Sequence, residues 1–264
     1  MIAYDKSGRG PAVIIVDGAF CSRVFGPSKR LAAALAPRFT VYAYDRRGRG
    51  QSGDTQPYAA EREVEDIAAL IRDAGGSASL VGLSSGGALA FEAAAAGLSI
   101  SRIVAYEPPY VDETGERGGA QHEVRLKALL AAGNRAGAVN YFVHDMVGVP
   151  AFAVFVTRLM PWLWRKLEAA AHTLPYDAAV MRDFKIPRAR FASIAAPVMV
   201  MNGSKTKLHR SGAAAKVVQN RTTVTPGLRG STRKARTAEV SRSRVCTAAL
   251  TRPPLRPCTI ATSL

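Results

Sequence analysis

The sequence predicts an α/β fold: a mostly parallel sheet flanked by helices, interrupted by a helical insertion, with an incomplete C-terminal part. Three observations predict it. Apolar, β-branched runs alternate with amphipathic stretches from Ala12 to Tyr106, the pattern of a doubly covered parallel sheet. Within that alternation, Leu80-Val81-Gly82-Leu83-Ser84-Ser85-Gly86-Gly87 turns from an apolar run through a glycine-flanked serine into an alanine-rich stretch. The alternation then stops at Glu107 and resumes only at Pro197.

Taken in order, Ala12 to Val16 is a continuous apolar run ending in Asp17-Gly18, as expected of a strand buried on both faces. Pro27 to Pro37 carries Leu31, Ala34 and Leu35 at helical spacing, and Phe39 to Tyr44 is a second strand. A helix from Ala59 to Ala74 places Val64, Ile67, Ala68 and Ile71 on one face with acids near its start. Ala78 to Leu83 is the strand before the serine, Ser85 to Gly97 the helix after it, and Arg102 to Tyr106 a fourth strand. Between Glu107 and Ile194 the segments 126–132, 139–146, 151–160 and 162–171 each suit a short helix. Phe152, Phe155, Trp162 and Trp164 in this stretch either wall a pocket or form the insertion's own core. Pro197 to Gly203 resumes the sheet as a fifth strand. The expected organisation is therefore a first core segment over 1–106, a helical lid over 107–194, a partial return of the core over 195–218, and a basic tail over 219–264.

The net charge of +16 suggests a polyanion partner until it is mapped along the chain. Residues 1–204 carry 23 Lys and Arg against 19 Asp and Glu, whereas residues 205–264 carry 13 against 1. The body is thus ordinary in charge, and nucleic-acid binding is expected only through the tail. Cys21, Cys246 and Cys258 have neither metal-ligand spacing nor the density of a disulfide framework, which points to a reducing, cytoplasmic setting. No apolar run reaches membrane-spanning length, and no metal or organic cofactor is implied.

The Gly82-Leu83-Ser84-Ser85-Gly86 turn reads as a nucleophile elbow, in which a sharp strand-to-helix corner lifts the serine clear of the sheet. The helix that follows would aim its first N–H groups and positive dipole end at charge developing beside Ser84. With Asp45-Arg46-Arg47-Gly48-Arg49-Gly50-Gln51-Ser52, similar to a D-x-R-G-x-G-x-S turn, and Asp17-Gly18 standing where His-Gly is common, the chain resembles the α/β-hydrolase family over residues 10 to 204. The resemblance implies an α/β-hydrolase fold and a serine hydrolase acting on a small carbonyl substrate, an ester above all. It also implies Ser84 as nucleophile and the backbone N–H groups of Ala19 and Ser85 as the oxyanion hole. The arginine-rich turn is expected to be structural, closing the end of its strand.

The acid and the base follow less simply. Asn202-Gly203-Ser204-Lys205-Thr206, where many members place the acid, has no carboxylate, so Glu107, directly after the fourth strand and fixed by Pro108 and Pro109, is the candidate orienting acid. The family's histidine lies near the end of the domain, yet no histidine follows His209. His209 has the family's chain order after Ser84 and Glu107 but falls two secondary-structure elements early. His172 is a second, lid-borne candidate, while His122 and His144 also fall in the lid.

Residues 205–264 contain no Phe, Tyr or Trp, although the body holds all 19. Such a composition predicts disorder rather than a closing strand and helix. Loss of the histidine would impair rather than abolish activity, since well-built sites lacking one triad member keep roughly 10³ to 10⁴-fold catalysis over water. Two other classes remain open, a noncatalytic ligand-binding homologue and a nucleic-acid binder acting through the basic tail. Two readings of the tail compete: a reading frame lost near residues 205 to 225, since Arg, Ala, Thr, Ser and Pro are what GC-rich codons often give out of frame, and a functional basic arm that binds nucleic acid or anionic membrane. Sequencing the coding DNA separates them: under the first, another frame should encode a Val/Ile run followed by a histidine loop, and nonsense in both other frames would count against it.

Overall fold

The computed structural model describes residues 1–110 and 120–203. The candidate base His209 and the tail lie outside the described residues. Six strands form one sheet in the order β1-β3-β2-β4-β5-β6, where β1 is Tyr4–Ser7, β2 Ala12–Val16, β3 Thr40–Tyr44, β4 Ala78–Leu83, β5 Ile100–Tyr106 and β6 Val198–Met201. All neighbours run parallel except β1, which pairs antiparallel with β3 at the edge. This strand escapes the sequence reading because Tyr4-Asp5-Lys6-Ser7 is exposed throughout and carries no apolar periodicity. The strand at 198–201 is consequently the sixth, not the fifth.

Helices α1 (Ser28–Leu35), α2 (Ala60–Asp73) and α3 (Ser85–Ala95) fill the crossovers within a residue or two of their expected bounds. The hydrophobic core lies between sheet and helices: Ile14, Tyr42, Leu80 and Ile103 from the strands meet Ile67, Leu89 and Phe91 from the helices. α3 is buried over most of its length, which explains why its sequence is alanine-rich rather than amphipathic.

Between β5 and β6 lie α4 (Ala120–Ala131), α5 (Arg135–Asn140), a π-helical turn (Tyr141–Met146), α6 (Ala151–Arg158), α7 (Pro161–Ala170), a 3₁₀ turn (Ala171–Thr173), α8 (Leu174–Met181) and α9 (Arg188–Phe191). This insertion has its own core, which includes Leu126, Val139, Phe142, Val154, Trp164, Leu174 and Phe184. Of the four aromatic residues expected to wall a pocket or form that core, only Trp164 belongs to it. Phe152, Phe155 and Trp162 are 77%, 59% and 61% exposed, and none of the four lines the cavity described below. Short helices presenting an aromatic on every turn leave some outside whenever only one face is covered. Among the described residues no helix is long and apolar enough to cross a membrane.

Backbone meets backbone at the corner that follows β4. A Cβ on Gly82 would lie 2.5 Å from the Gly87 Cα, and one on Gly86 would lie 2.0 Å from the carbonyl oxygen of Val16. Helix α3 therefore starts directly against the end of β2, with backbone on backbone. Gly86→Ala should destabilise the fold by about 3 kcal/mol or more, read as the loss in urea-unfolding free energy. Gly97→Ala is the comparison, since nothing lies within 4 Å of its Cβ position and only its positive φ is strained.

Candidate active site

Ser84 occupies the corner between β4 and α3 with φ 52° and ψ −122°. A non-glycine residue in such a region costs on the order of 1–3 kcal/mol and persists only where its surroundings over-determine it. Here the Ser84 N–H donates to the Tyr106 carbonyl (2.9 Å), and the Ser84 carbonyl accepts from the Gly87 N–H (2.8 Å). The corner is thus fixed by β5 on one side and by the first turn of α3 on the other.

Ser84 opens into a cavity of about 620 Å³, within the range of small-molecule sites. Its walls are largely apolar, with Phe20, Phe142, Val143, Met146, Met181 and Phe184 prominent. Phe20, itself at φ 63°, meets Phe142 edge-on at 5.4 Å, joining the loop after β2 to the helical insertion. The same cavity is lined by Ala19 and Glu107, so three of the residues expected at the site come together. Glu107 continues β5 with φ 47°: its N–H donates to the Met201 carbonyl and its Oε1 accepts from the Gly203 N–H (2.9 Å). Ser85 stands at the first position of α3, where the backbone N–H has no intrahelical partner. Its side chain turns away from the cavity and donates to Asp177 Oδ1 at 2.7 Å.

Cys21 also lines the cavity, but burial, followed by the charge of Asp17, pushes its thiol up to about 11. A thiol of that kind is protonated at neutral pH. His172 is not poised over the serine. It is exposed, with Nε2 2.8 Å from the Gly48 carbonyl and Nδ1 3.0 Å from that of Ala169. His144 Nδ1 lies 2.9 Å from the Val149 carbonyl, and His122 Nδ1 lies 2.7 Å from the Tyr141 hydroxyl. None of these three histidines lines the cavity. No group of three or more His, Cys, Asp or Glu among the described residues is placed to hold a metal.

Beneath the serine lies a charged network that sequence reading does not find. Arg46, Arg49 and Asp177 are all buried. Asp177 receives Arg46 Nη1 on Oδ1 (2.8 Å) and Arg49 Nη2 on Oδ2 (2.6 Å). Arg46 also grips both oxygens of Glu63 at 2.7 Å, and its Nη1 reaches the Asp17 carbonyl (3.2 Å) and Ser85 Oγ (3.3 Å). Arg49 Nη1 donates to the Gly18 carbonyl at 2.6 Å, and Nε donates to Thr173 Oγ1 at 3.2 Å. Burial alone would raise the Asp177 carboxyl, but the charges of Arg49 and Arg46 outweigh it and hold the group below its ordinary value. The turn expected to close a strand end is therefore also the floor of the site, while Arg47 keeps the outward role by pairing with Asp66. A faint signal existed: Asp177 is the only charged residue in the otherwise apolar Leu174–Met181.

Asp17 is buried with Oδ2 accepting from Ser28 Oγ. Its Oδ1 has no hydrogen-bond partner among the described residues. Burial raises its carboxyl to about 6 against the pull of the Ser28 hydroxyl, Arg49 and Arg46. The folded value lies above the unfolded one, so the contribution to stability is full below the unfolded value and is lost as pH rises through about 6. Relative to Asp17→Asn, the wild-type unfolding free energy should fall by about 2 kcal/mol from about pH 4 to about pH 7. Parallel urea-unfolding curves across that range would show that Asp17 is not raised.

The chain matches the alpha/beta hydrolase family over residues 13–234, past the end of the described residues. An alpha/beta hydrolase from Sphaerobacter thermophilus DSM 20745 is 43% identical, with a TM-score of 0.79 over 95% of this chain and 89% of that one. A hydrolase from Pseudomonas aeruginosa PA01 shares 24% identity and a TM-score of 0.63 over 83% of this chain and 82% of that one. The enol-lactonase of Burkholderia xenovorans LB400 shares 19% identity and a TM-score of 0.62 over 83% and 84%. The last two likenesses are of fold alone. No curated protein sequence matches the chain.

Proposed function

The chain belongs to the alpha/beta hydrolase family, and on that footing we propose that it is a serine hydrolase of small, uncharged esters with Ser84 as the nucleophile. One observation carries the reading: Ser84 stands at a strained corner, opening into an apolar cavity that Ala19 and Glu107 also line. Attack by Ser84 Oγ on an ester carbonyl would develop negative charge on the carbonyl oxygen. The Ala19 and Ser85 N–H groups are the donors suited to receive it, with the α3 dipole adding to their field. An uncharged acyl or aryl group suits walls of Phe, Val and Met, which offer a charged group no compensation for lost water.

Proton transfer is the weak step. With His122, His144 and His172 committed elsewhere, His209 is the remaining histidine of the chain, and Glu107 is the carboxylate that lines the cavity. We take turnover to be impaired because no histidine among the described residues lines the cavity, with acylation of Ser84 outlasting it because reactive acyl and phosphonyl donors need less base assistance. The second reading, a noncatalytic binder, is favoured by the same absence of a cavity-lining histidine among the described residues.

A fluorophosphonate should label the wild-type chain and leave Ser84→Ala unlabelled, while release of nitrophenol from a short-chain nitrophenyl ester stops after roughly one equivalent or continues slowly. Labelling that survives Ser84→Ala would remove the nucleophile assignment. Ligand-induced thermal stabilisation without any labelling would favour the binder.

A further inference from the structure

The peptide between Gly18 and Ala19 shows how one oxyanion donor is aimed. A trans peptide is planar, so its C=O and the following N–H point in opposite directions. The Gly18 carbonyl is held inward by Arg49 Nη1 at 2.6 Å and accepts a turn bond from the Cys21 N–H at 3.4 Å. The N–H of Ala19 must therefore point the other way, out of the buried network. Ala19 lines the cavity, and a Cβ on Gly18 would come within 3.2 Å of Ser84 Cβ, so the outward side is the side of the nucleophile. The Ser85 donor is aimed by the same rule, because the Ser84 carbonyl is tied to the Gly87 N–H.

Arg49 is itself fixed from the insertion. Asp177 Oδ2 on α8 receives its Nη2, and Thr173 Oγ1 receives its Nε. We propose that Arg49, anchored by Asp177 and Thr173, is a positioning residue that aims the Ala19 N–H at the oxygen developing beside Ser84, coupling the helical insertion to the reaction centre. The proposal rests on the Ser84 reading for its catalytic consequence, but the aiming of the amide is independent of it. Lysine cannot replace Arg49, since one ammonium has neither the length nor the planar fork to serve the Gly18 carbonyl and Asp177 together.

The test uses the full chain as wild type, Arg49→Lys and Arg49→Gly, each shown to be folded by circular dichroism. Two quantities are read: the second-order rate of fluorophosphonate labelling of Ser84, and the amide resonance and hydrogen exchange of Ala19. Both variants should label about 10- to 100-fold more slowly, less than the cost of deleting a donor outright. Affinity for hexanol, a neutral ligand making no oxyanion, should stay within about twofold, because a misaimed donor weakens only the charged state. Added guanidinium should restore labelling of Arg49→Gly, and the Ala19 amide should shift and exchange faster in Arg49→Lys. Should Arg49→Gly fail to fold, Arg49→Lys carries both readings. Labelling at the wild-type rate in folded Arg49→Lys would overturn the proposal and spare the Ser84 reading, as would hexanol affinity falling in step with the rate. A wild-type chain that never labels, with an Ala19 amide that still moves in Arg49→Lys, removes the Ser84 reading and keeps the aiming. An Ala19 amide unmoved by either substitution overturns the proposal outright.

Discussion

The carboxylate of Asp177 between Arg46 and Arg49 is the constraint on which the rest of the structure depends. It joins pieces that sequence keeps far apart: α8 of the insertion, the turn after β3, the carbonyls at the end of β2 and the first residue of α3. Charges out of water are tolerated only when every one is paired and hydrogen-bonded. Arg46 meets that condition through Glu63 and Asp177, and Arg49 through Asp177 and two neutral oxygens. Removing one partner leaves a buried charge uncompensated, typically at a cost of about 3–5 kcal/mol. Such an arrangement has essentially one geometry, and that rigidity is passed to the backbone around Ser84.

Above the network, the site is an apolar chamber with few polar groups. Strain is concentrated there: Phe20, Ser84, Glu107 and Phe184 all sit at positive φ, and all four line the cavity. Each is over-determined by backbone hydrogen bonds or ring packing across elements, which is the condition for strain to persist at a functional corner. The core beneath supplies the free energy that offsets it. Full burial of side chains such as Ile14, Ile67, Leu80 and Leu89 contributes about 1.5–3 kcal/mol apiece.

The helical insertion both walls the chamber and reaches below it. Phe142, Met181 and Phe184 face the cavity, while Asp177, one turn before Met181 on the same helix, enters the ionic floor. One short helix thus lines the cavity and, through Arg49, reaches the Gly18 carbonyl.

The sheet, its helices and the serine corner were legible because each is written locally. A buried strand such as Ala12–Val16 shows itself as a run, α2 as a repeat, and the elbow as glycines whose Cβ positions are filled by neighbouring backbone. The position of Glu107 directly after β5 was legible for a similar reason, since it closes a strand and is followed by two prolines. Edge strand β1 was not, because an exposed strand needs no apolar face. Nor were the burial of Arg46 and Arg49, the exposure of Trp162 or the outward turn of His172, since charge and aromaticity say nothing of which side of a helix or loop is covered. By itself the sequence determined the α/β class, the parallel order of local units and the strand-to-helix corner at Ser84. Only the tertiary structure decided that a cap carboxylate and two loop arginines meet beneath that corner, because their pairing spans more than a hundred residues and the desolvation that makes it strong exists only once the chain has closed around it.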